Sequence, residues 1–135
     1  MQNQILSQTS TAAKTTPAIS LVILVFNEIA VLPLLFVRVR NVMHGLRLDY
    51  EMVMVDDGSK DSSADFLIRQ AQQDACVRAV ILSRNFGKEA ALSAGLEQAQ
   101  GEVIIVLDAD LQNPPELIPD MLEKWRAGAD IVAMK

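Results

Sequence analysis

The chain has 135 residues, enough for one domain and too few for two. Half of the residues are apolar, and only six are Gly and five are Pro, so composition predicts a packed globular core. The formal net charge of −5 is the wrong sign for a domain that binds nucleic acid. The chain has a single cysteine, Cys76, and a single histidine, His44. These counts exclude an internal disulfide and a multi-histidine metal site.

The beginning of the chain differs in composition from the rest. Residues 1–18 are rich in Gln, Ser and Thr and lack the apolar run of a signal peptide, so we expect a flexible tail followed by one folded unit over residues 19–135. Residues 21–37 are apolar, but Asn27, Glu28 and Pro33 interrupt them. We therefore expect no transmembrane segment in this chain.

From residue 19 onward, short apolar runs alternate with helix-length segments, which is typical of a parallel sheet built from βα units. Strands are predicted at residues 19–26, 51–55, 77–82, 103–107 and 131–134, with helices at about 33–43, 62–74, 88–98 and 114–128. Ser62 and Asp65 predict a reciprocal cap on the second helix, and Asn113 predicts a cap on the fourth. The last strand has no helix after it, which indicates a truncated domain.

Acidic side chains follow three of the predicted strands. They are Glu28, Asp56, Asp57, Asp108 and Asp110. Because ligands bind beyond the carboxyl ends of the strands in such sheets, we expect these carboxylates to converge at one edge. Their mutual repulsion favours a bound cation.

Asp108 and Asp110 are two residues apart, a spacing that sends both side chains to the same side of an extended chain. Gln112 continues the series. Oxygen ligands of this kind suit Mg²⁺ or Mn²⁺. In isolation such a pair is more often a solvated turn, but its position after a buried strand favours a metal site.

A short basic segment, Ser-Arg-Asn-Phe-Gly-Lys at residues 83–88, follows the third strand. Arg84, Lys88 and the amides at the start of the following helix are placed to share the charge of a diphosphate. The alternative is that both are ordinary surface cations. The sequence contains neither a P-loop nor a Gly-x-Gly-x-x-Gly motif.

Taken together, these motifs resemble those of a known family. Phe-Asn-Glu at residues 26–28, Val-Asp-Asp-Gly-Ser at 55–59, the basic segment at 83–88, Asp-Ala-Asp-Leu-Gln at 108–112 and Pro-Pro-Glu at 114–116 resemble the family 2 glycosyltransferases of the GT-A fold. They are most similar to the polyprenyl-phosphate glycosyltransferases, the group of dolichyl-phosphate mannose synthase and undecaprenyl-phosphate glucosyltransferase. The resemblance covers residues 19–135.

The resemblance implies an α/β, Rossmann-like GT-A fold: a mostly parallel sheet with flanking helices, truncated here after the fifth strand. It implies a Mg²⁺ or Mn²⁺ site formed by Asp108, Asp110 and Gln112. Phe26, where the family usually has tyrosine, Glu28, Asp56 and Asp57 would hold the nucleobase and ribose. The full set implied for nucleotide binding is Phe26, Asn27, Glu28, Asp56, Asp57, Arg84, Lys88 and Asp108.

The implied activity is metal-dependent transfer of a glycosyl group from a UDP- or GDP-sugar to a polyprenyl phosphate, at the cytoplasmic face of the membrane in the full-length protein. The catalytic base would lie outside this chain, so we expect donor binding without transfer. The apolar run at residues 34–37 predicts self-association through exposed apolar surface.

Two alternatives from other functional classes remain. One is a non-catalytic module that binds nucleotide sugars. The other is a receiver-like phosphoacceptor domain, which also combines βα units with paired acids and a lysine. The order of the motifs disfavours the second alternative, because its acid pair should follow the first strand.

Overall fold

The computed structural model describes residues 17–112, 114–126 and 131–133. It contains a five-stranded sheet in the order β3-β2-β1-β4-β5, in which the four pairings are all parallel. The strands are β1 (Ile19–Val25), β2 (Tyr50–Asp56), β3 (Val77–Ile81), β4 (Val103–Asp108) and β5 (Ile131–Ala133). The predicted α/β fold is confirmed. A receiver-like domain would have the order 2-1-3-4-5, so the strand order contradicts that alternative.

Helices connect the strands at nearly the predicted positions. They are α1 (Leu32–Leu46), α2 (Ser63–Gln73), α3 (Lys88–Gln98) and α4 (Ile118–Arg126), with a 3₁₀ turn at Pro115–Leu117 before α4. Pro33 lies in the first turn of α1, where the missing N–H costs nothing. α1 continues to Leu46, three residues beyond the predicted end, and the next residue, Arg47, terminates it in the left-handed region with a φ of 56°. None of these helices, within the described chain, is long and apolar enough to cross a membrane.

Alternating residues of the strands pack on opposite faces of the sheet, as the two-residue period of a strand requires. Leu21 and Ile23 belong to a large core shared with α1, α2 and α4, whereas Val22 and Val53 pack against α3 on the other face. This double covering explains why residues 21–25 of β1 and 52–55 of β2 are all apolar instead of alternating with polar residues.

The predicted cap on α2 is wrong in its details. Ser62 is the N-cap residue, but its hydroxyl makes no capping hydrogen bond. Asp61 takes this role instead, because its Oδ1 accepts the N–H of Ser63 at 2.8 Å and its Oδ2 accepts the N–H of Ile29 at 3.2 Å. One carboxylate therefore caps α2 and joins the loop after β1.

Two predictions about the ends of elements fall partly on undescribed positions. The capping residue Asn113 and residues 1–16 of the expected tail lie outside the described part of the chain. Ala18 is described, and it donates its N–H to the carbonyl of Asp49 at 3.0 Å and accepts the N–H of Val103 at 3.1 Å. The backbone is thus tied to both neighbouring strands one residue before β1 begins.

Candidate functional site

A cavity of about 230 Å³ opens at the carboxyl ends of β1 and β4, against the first turn of α3. It brings together six of the residues predicted for the site: Phe26, Glu28, Asp57, Lys88, Asp108 and Asp110. The other four, Asn27, Asp56, Arg84 and Gln112, belong to the same strand ends and loops but do not line the cavity. The predicted convergence of acids at this edge is therefore present.

The carboxylates in the cavity are close enough to affect one another. The pKa of Glu28 is raised above its ordinary value, first by burial and then by the negative charges of Asp110, Asp61 and Asp108. Across residues 17–112 and 114–126, no three Asp, Glu, His or Cys side chains converge with the spacing of a complete metal site. Mg²⁺ is commonly held by only one or two carboxylates, and substrate phosphates and water fill the remaining positions. The pair Asp108 and Asp110 is therefore sufficient for such a site.

The turn after β4 fixes the position of Asp110. Leu111 has a left-handed φ of 64°, and the N–H of Gln112 donates to Asp110 Oδ1 at 3.1 Å. Asp110 is exposed, whereas Asp108, at the end of β4, is partly buried. The two acids therefore differ in environment although both border the cavity.

Lys88 is the first residue of α3 and provides a positive charge in the cavity. Its Nζ lies 3.1 Å from Asp108 Oδ2. This ion pair places an exposed ammonium group directly beside one member of the predicted metal pair. An arrangement of this kind suits a ligand that brings both a cation and phosphate oxygens.

Asp56 and Asp57 are both buried at the end of β2, yet their carboxylates have different partners. Asp56 Oδ2 accepts the N–H of Ser59 at 2.9 Å, and among the described residues its buried Oδ1 has no hydrogen-bond partner. Asp57 uses both oxygens on backbone amides of the loop before α3, at 2.8 Å to Phe86 and 3.1 Å to Gly87. Of the amides at the start of α3 that the sequence suggests for a phosphate, that of the N-cap residue Gly87 is therefore already bonded.

Asn27 joins the loops after β1 and β2. It has a left-handed φ of 53°, and its Oδ1 accepts the N–H groups of Lys60 and Asp61 at 2.7 and 3.3 Å. Its own N–H donates to Ser59 Oγ at 2.8 Å, and the N–H of Glu28 donates to Ser63 Oγ at 3.0 Å. Sequence reasoning missed Ser59, Asp61 and Ser63; their clustering after β2, in a stretch rich in turn-forming residues, is the signal that marks them.

Two aromatic side chains are exposed at the same edge of the sheet, Phe26 and Phe86. The guanidinium carbon of Arg84 lies 4.9 Å from the centre of the Phe86 ring, a cation–π distance. The Arg84 side chain therefore stacks on a ring of its own loop.

The sequence is similar to one known family and to several known proteins. The model of the family described as glycosyl transferase family 2 matches residues 20–135. An uncharacterised glycosyltransferase of Synechocystis sp. is 50% identical over 117 residues, covering 87% of this chain and 37% of the relative. The undecaprenyl-phosphate 4-deoxy-4-formamido-L-arabinose transferase of Pseudomonas paraeruginosa is 50% identical over 115 residues, covering 84% of this chain and 34% of the relative.

A solved structure has the same fold. It is the mannosyltransferase PcManGT from Pyrobaculum calidifontis in complex with GDP-Man and Mn²⁺, with a TM-score of 0.62 and 24% sequence identity. The match covers 87% of this chain and 34% of the mannosyltransferase. The chain thus spans little more than a third of the length of the proteins it matches.

Proposed function

This chain belongs to glycosyl transferase family 2, as its motifs predicted, and we propose that it forms the donor-binding part of an enzyme that transfers a glycosyl group from a nucleoside-diphosphate sugar to a polyprenyl phosphate. The observation that carries the proposal is the cavity at the strand ends. It combines the paired acids Asp108 and Asp110 with the cation of Lys88 within one small volume. A diphosphate bound together with a divalent cation matches that charge pattern.

The proposed nucleotide site divides into two parts. Phe26 and Glu28, which line the cavity, and Asp56, at the end of β2, are the proposed contacts of the nucleobase and ribose, with the exposed Phe26 ring as an apolar surface for stacking. Arg84 and Lys88 approach the diphosphate from the loop before α3 and the first turn of α3. Asn27 and Asp57 contribute by holding the loops, since their side-chain oxygens bind backbone amides.

Asp108 and Asp110 are the proposed ligands of Mg²⁺ or Mn²⁺, with Gln112 as a further ligand. When bound, such a cation supplies electrostatic stabilisation to a diphosphate leaving group. Lys88 adds positive charge on the same side and shields the acids from the phosphates. Asp108 belongs to both the metal set and the nucleotide set, because it lines the cavity and forms an ion pair with Lys88.

The proposed acceptor, a polyprenyl phosphate, follows from the names of the relatives. Several of them are undecaprenyl-phosphate transferases and share about half of their residues with this chain over the aligned part. A lipid acceptor places the full-length protein at the membrane, and a nucleotide-sugar donor places it at the cytoplasmic face. The catalytic base is proposed to lie outside these 135 residues, so the chain binds donor without transferring sugar.

Calorimetric titration of the 135-residue chain tests donor binding. UDP, GDP, UDP-glucose and GDP-mannose are each added with and without Mn²⁺. We expect binding of at least one of the two diphosphates, with higher affinity when Mn²⁺ is present. Binding of none of the four ligands under either condition would contradict the proposal. Equal affinity with and without Mn²⁺ would contradict the proposal that donor binding depends on a metal ion.

A further inference from the structure

The loop between β3 and α3, which carries Arg84 and leads into Lys88, is attached to the end of β2 by contacts from three consecutive residues. The carbonyl of Asp56 accepts the N–H of Leu82 at 2.9 Å, where the loop begins. The carboxylate of Asp57 accepts the N–H groups of Phe86 and Gly87, where the loop ends. The loop is thus attached at both of its ends to the same short segment.

Gly58 supplies the third contact. Its φ of +75° favours glycine, and a Cβ built on it would lie 2.2 Å from the backbone carbon of Arg84 and 2.3 Å from the nitrogen of Asn85. A real side chain cannot approach backbone atoms so closely, so the two loops touch only because residue 58 has none. The peptide that links Arg84 to Asn85 therefore packs directly against Gly58, in the turn after β2.

The carboxylate of Asp57 is well placed to bind the backbone amides at the end of the loop. The residue is only 6% exposed, and its two oxygens lie 2.8 and 3.1 Å from the amide nitrogens of Phe86 and Gly87. Those amides immediately precede α3, where the helix dipole favours a negative charge. Both oxygens of the carboxylate therefore accept hydrogen bonds from the loop, although the residue also lines the cavity.

We infer that Asp57 is a positioning residue: it sets the loop that presents Arg84 and Lys88 to the diphosphate, and it affects nucleotide binding through those two cations. This inference rests on the proposed donor-binding function. A direct role on the nucleobase or ribose makes a different prediction, because it would affect the nucleoside and the nucleoside diphosphate equally.

Because Asp57 is negatively charged, its electrostatic effect on diphosphate binding and its effect through the loop have opposite signs. Asp57→Asn removes a negative charge from the wall of the cavity, and by Coulomb's law alone this change should strengthen the binding of a diphosphate. Loss of loop positioning should weaken it instead. Because an asparagine side chain has only one acceptor oxygen, it leaves one of the two amides without its partner.

The experiment compares the wild type, Asp57→Asn and the control Asp65→Asn, which changes an exposed acid in the first turn of α2. Amide hydrogen exchange at Phe86 and Gly87 is followed by NMR without nucleotide. Affinities for GDP, guanosine, UDP and uridine are measured with Mn²⁺. In Asp57→Asn we expect exchange about tenfold faster at one or both amides and about tenfold weaker binding of the preferred diphosphate. Nucleoside affinity should change less than twofold, and the control should match the wild type.

Unchanged exchange at both amides, or equal weakening of nucleoside and diphosphate, would overturn the inference, as would tighter diphosphate binding. A melting temperature recorded for each variant identifies global unfolding. If Asp57→Asn unfolds, Asp57→Glu is used instead. Because glutamate keeps both acceptor oxygens, it is expected to restore, at least in part, the wild-type ratio of nucleoside affinity to diphosphate affinity. If the wild type binds neither diphosphate, the proposed function fails. The exchange measurement, which needs no nucleotide, then still decides whether Asp57 holds the loop.

Discussion

Lys88 combines two properties that make it the most informative cation of the site. Its side chain is 74% exposed and therefore accessible to a ligand, and its Nζ lies 3.1 Å from Asp108 Oδ2. A surface pair of this kind contributes little to stability, typically about 0–1 kcal/mol. Its replacement should therefore change ligand binding much more than folding.

Lys88→Ala is expected to weaken binding of GDP or UDP about tenfold to a hundredfold, since a charge-assisted hydrogen bond contributes roughly 1.5–3 kcal/mol. The affinity for guanosine or uridine should stay unchanged. Calorimetry of the four ligands measures both quantities. Lys124→Ala, at an exposed lysine in the last turn of α4, is the matched control. Equal weakening of nucleoside and diphosphate would show that Lys88 acts elsewhere.

Cys76 is the only cysteine of the chain, so thiol labelling reports on one position. Burial, followed by a hydrogen bond and the negative charge of Asp74, raises the pKa of the thiol to about 11. The folded protein should therefore hold very little thiolate at pH 8, and its alkylation rate should rise with pH until about pH 11.

We expect iodoacetamide to modify folded Cys76 at pH 8 roughly tenfold or more slowly than the urea-denatured chain, where the thiol pKa is about 8.5. Mass spectrometry over time measures the two rates. Because the raised pKa belongs to the folded state, stability is also expected to fall as pH increases through the range between the unfolded and folded pKa values. Equally fast labelling of folded and denatured protein would contradict this account.

At the scale of single elements, α3 shows how closely a helix can approach the sheet. A Cβ built on Gly95 would lie 2.5 Å from Val22 Cγ1 and 2.9 Å from Val55 Cγ2, both in buried β-branched side chains. Alanine is the better helix former by about 1 kcal/mol, but overpacking of a core costs about 1–3 kcal/mol. The steric effect should therefore dominate.

Gly95→Ala is expected to lower the melting temperature, whereas Gly45→Ala in the last turn of α1, where a Cβ meets nothing within 4 Å, should raise it slightly or leave it unchanged. Thermal unfolding followed by circular dichroism compares the two variants with the wild type. A higher melting temperature for Gly95→Ala would mean that α3 can move away from the sheet without loss.

The elements were predictable from sequence because their signals are local. The apolar runs of β1 and β2, the proline at the start of α1 and the spacing of Asp108 and Asp110 can all be read within a few residues. The connections between loops were not predictable. Asn27 bonds to Ser59 across 32 residues of sequence, and Asp57 bonds to Gly87 across 30. Such pairs depend on which strand ends lie side by side, which becomes known only with the strand order.

At the scale of the whole molecule, α1 exposes part of its apolar surface. In the run at residues 34–37, Leu35 and Phe36 are buried in the core, whereas Leu34 and Val37 are 51% and 55% exposed. Leu117 is also exposed on the 3₁₀ turn, which is joined to α1 by the hydrogen-bonded ion pair between Arg38 and Glu116. This apolar surface supports the prediction that the chain self-associates.

Replacing Leu34 and Val37 together by Gln should reduce the self-association of the 135-residue chain, because both side chains are exposed and neither fills the core. Light scattering over a range of concentrations measures the average mass. Ile68→Gln, at a partly exposed residue of α2, is the control and should leave association as in the wild type. A monomeric wild type at every concentration would contradict this prediction.

Asp108 and Asp110 are proposed to bind a divalent cation together with a nucleoside diphosphate. The most direct test is the dependence of GDP and UDP affinity on Mn²⁺ in the wild type, in Asp110→Asn and in the control Asp49→Asn, which changes an exposed acid at the opposite edge of the sheet. Asp110 is exposed, so its variant should fold with an unchanged melting temperature. We predict that Mn²⁺ strengthens diphosphate binding in the wild type and in Asp49→Asn and has no effect in Asp110→Asn. A metal effect of the same size in Asp110→Asn would contradict the account.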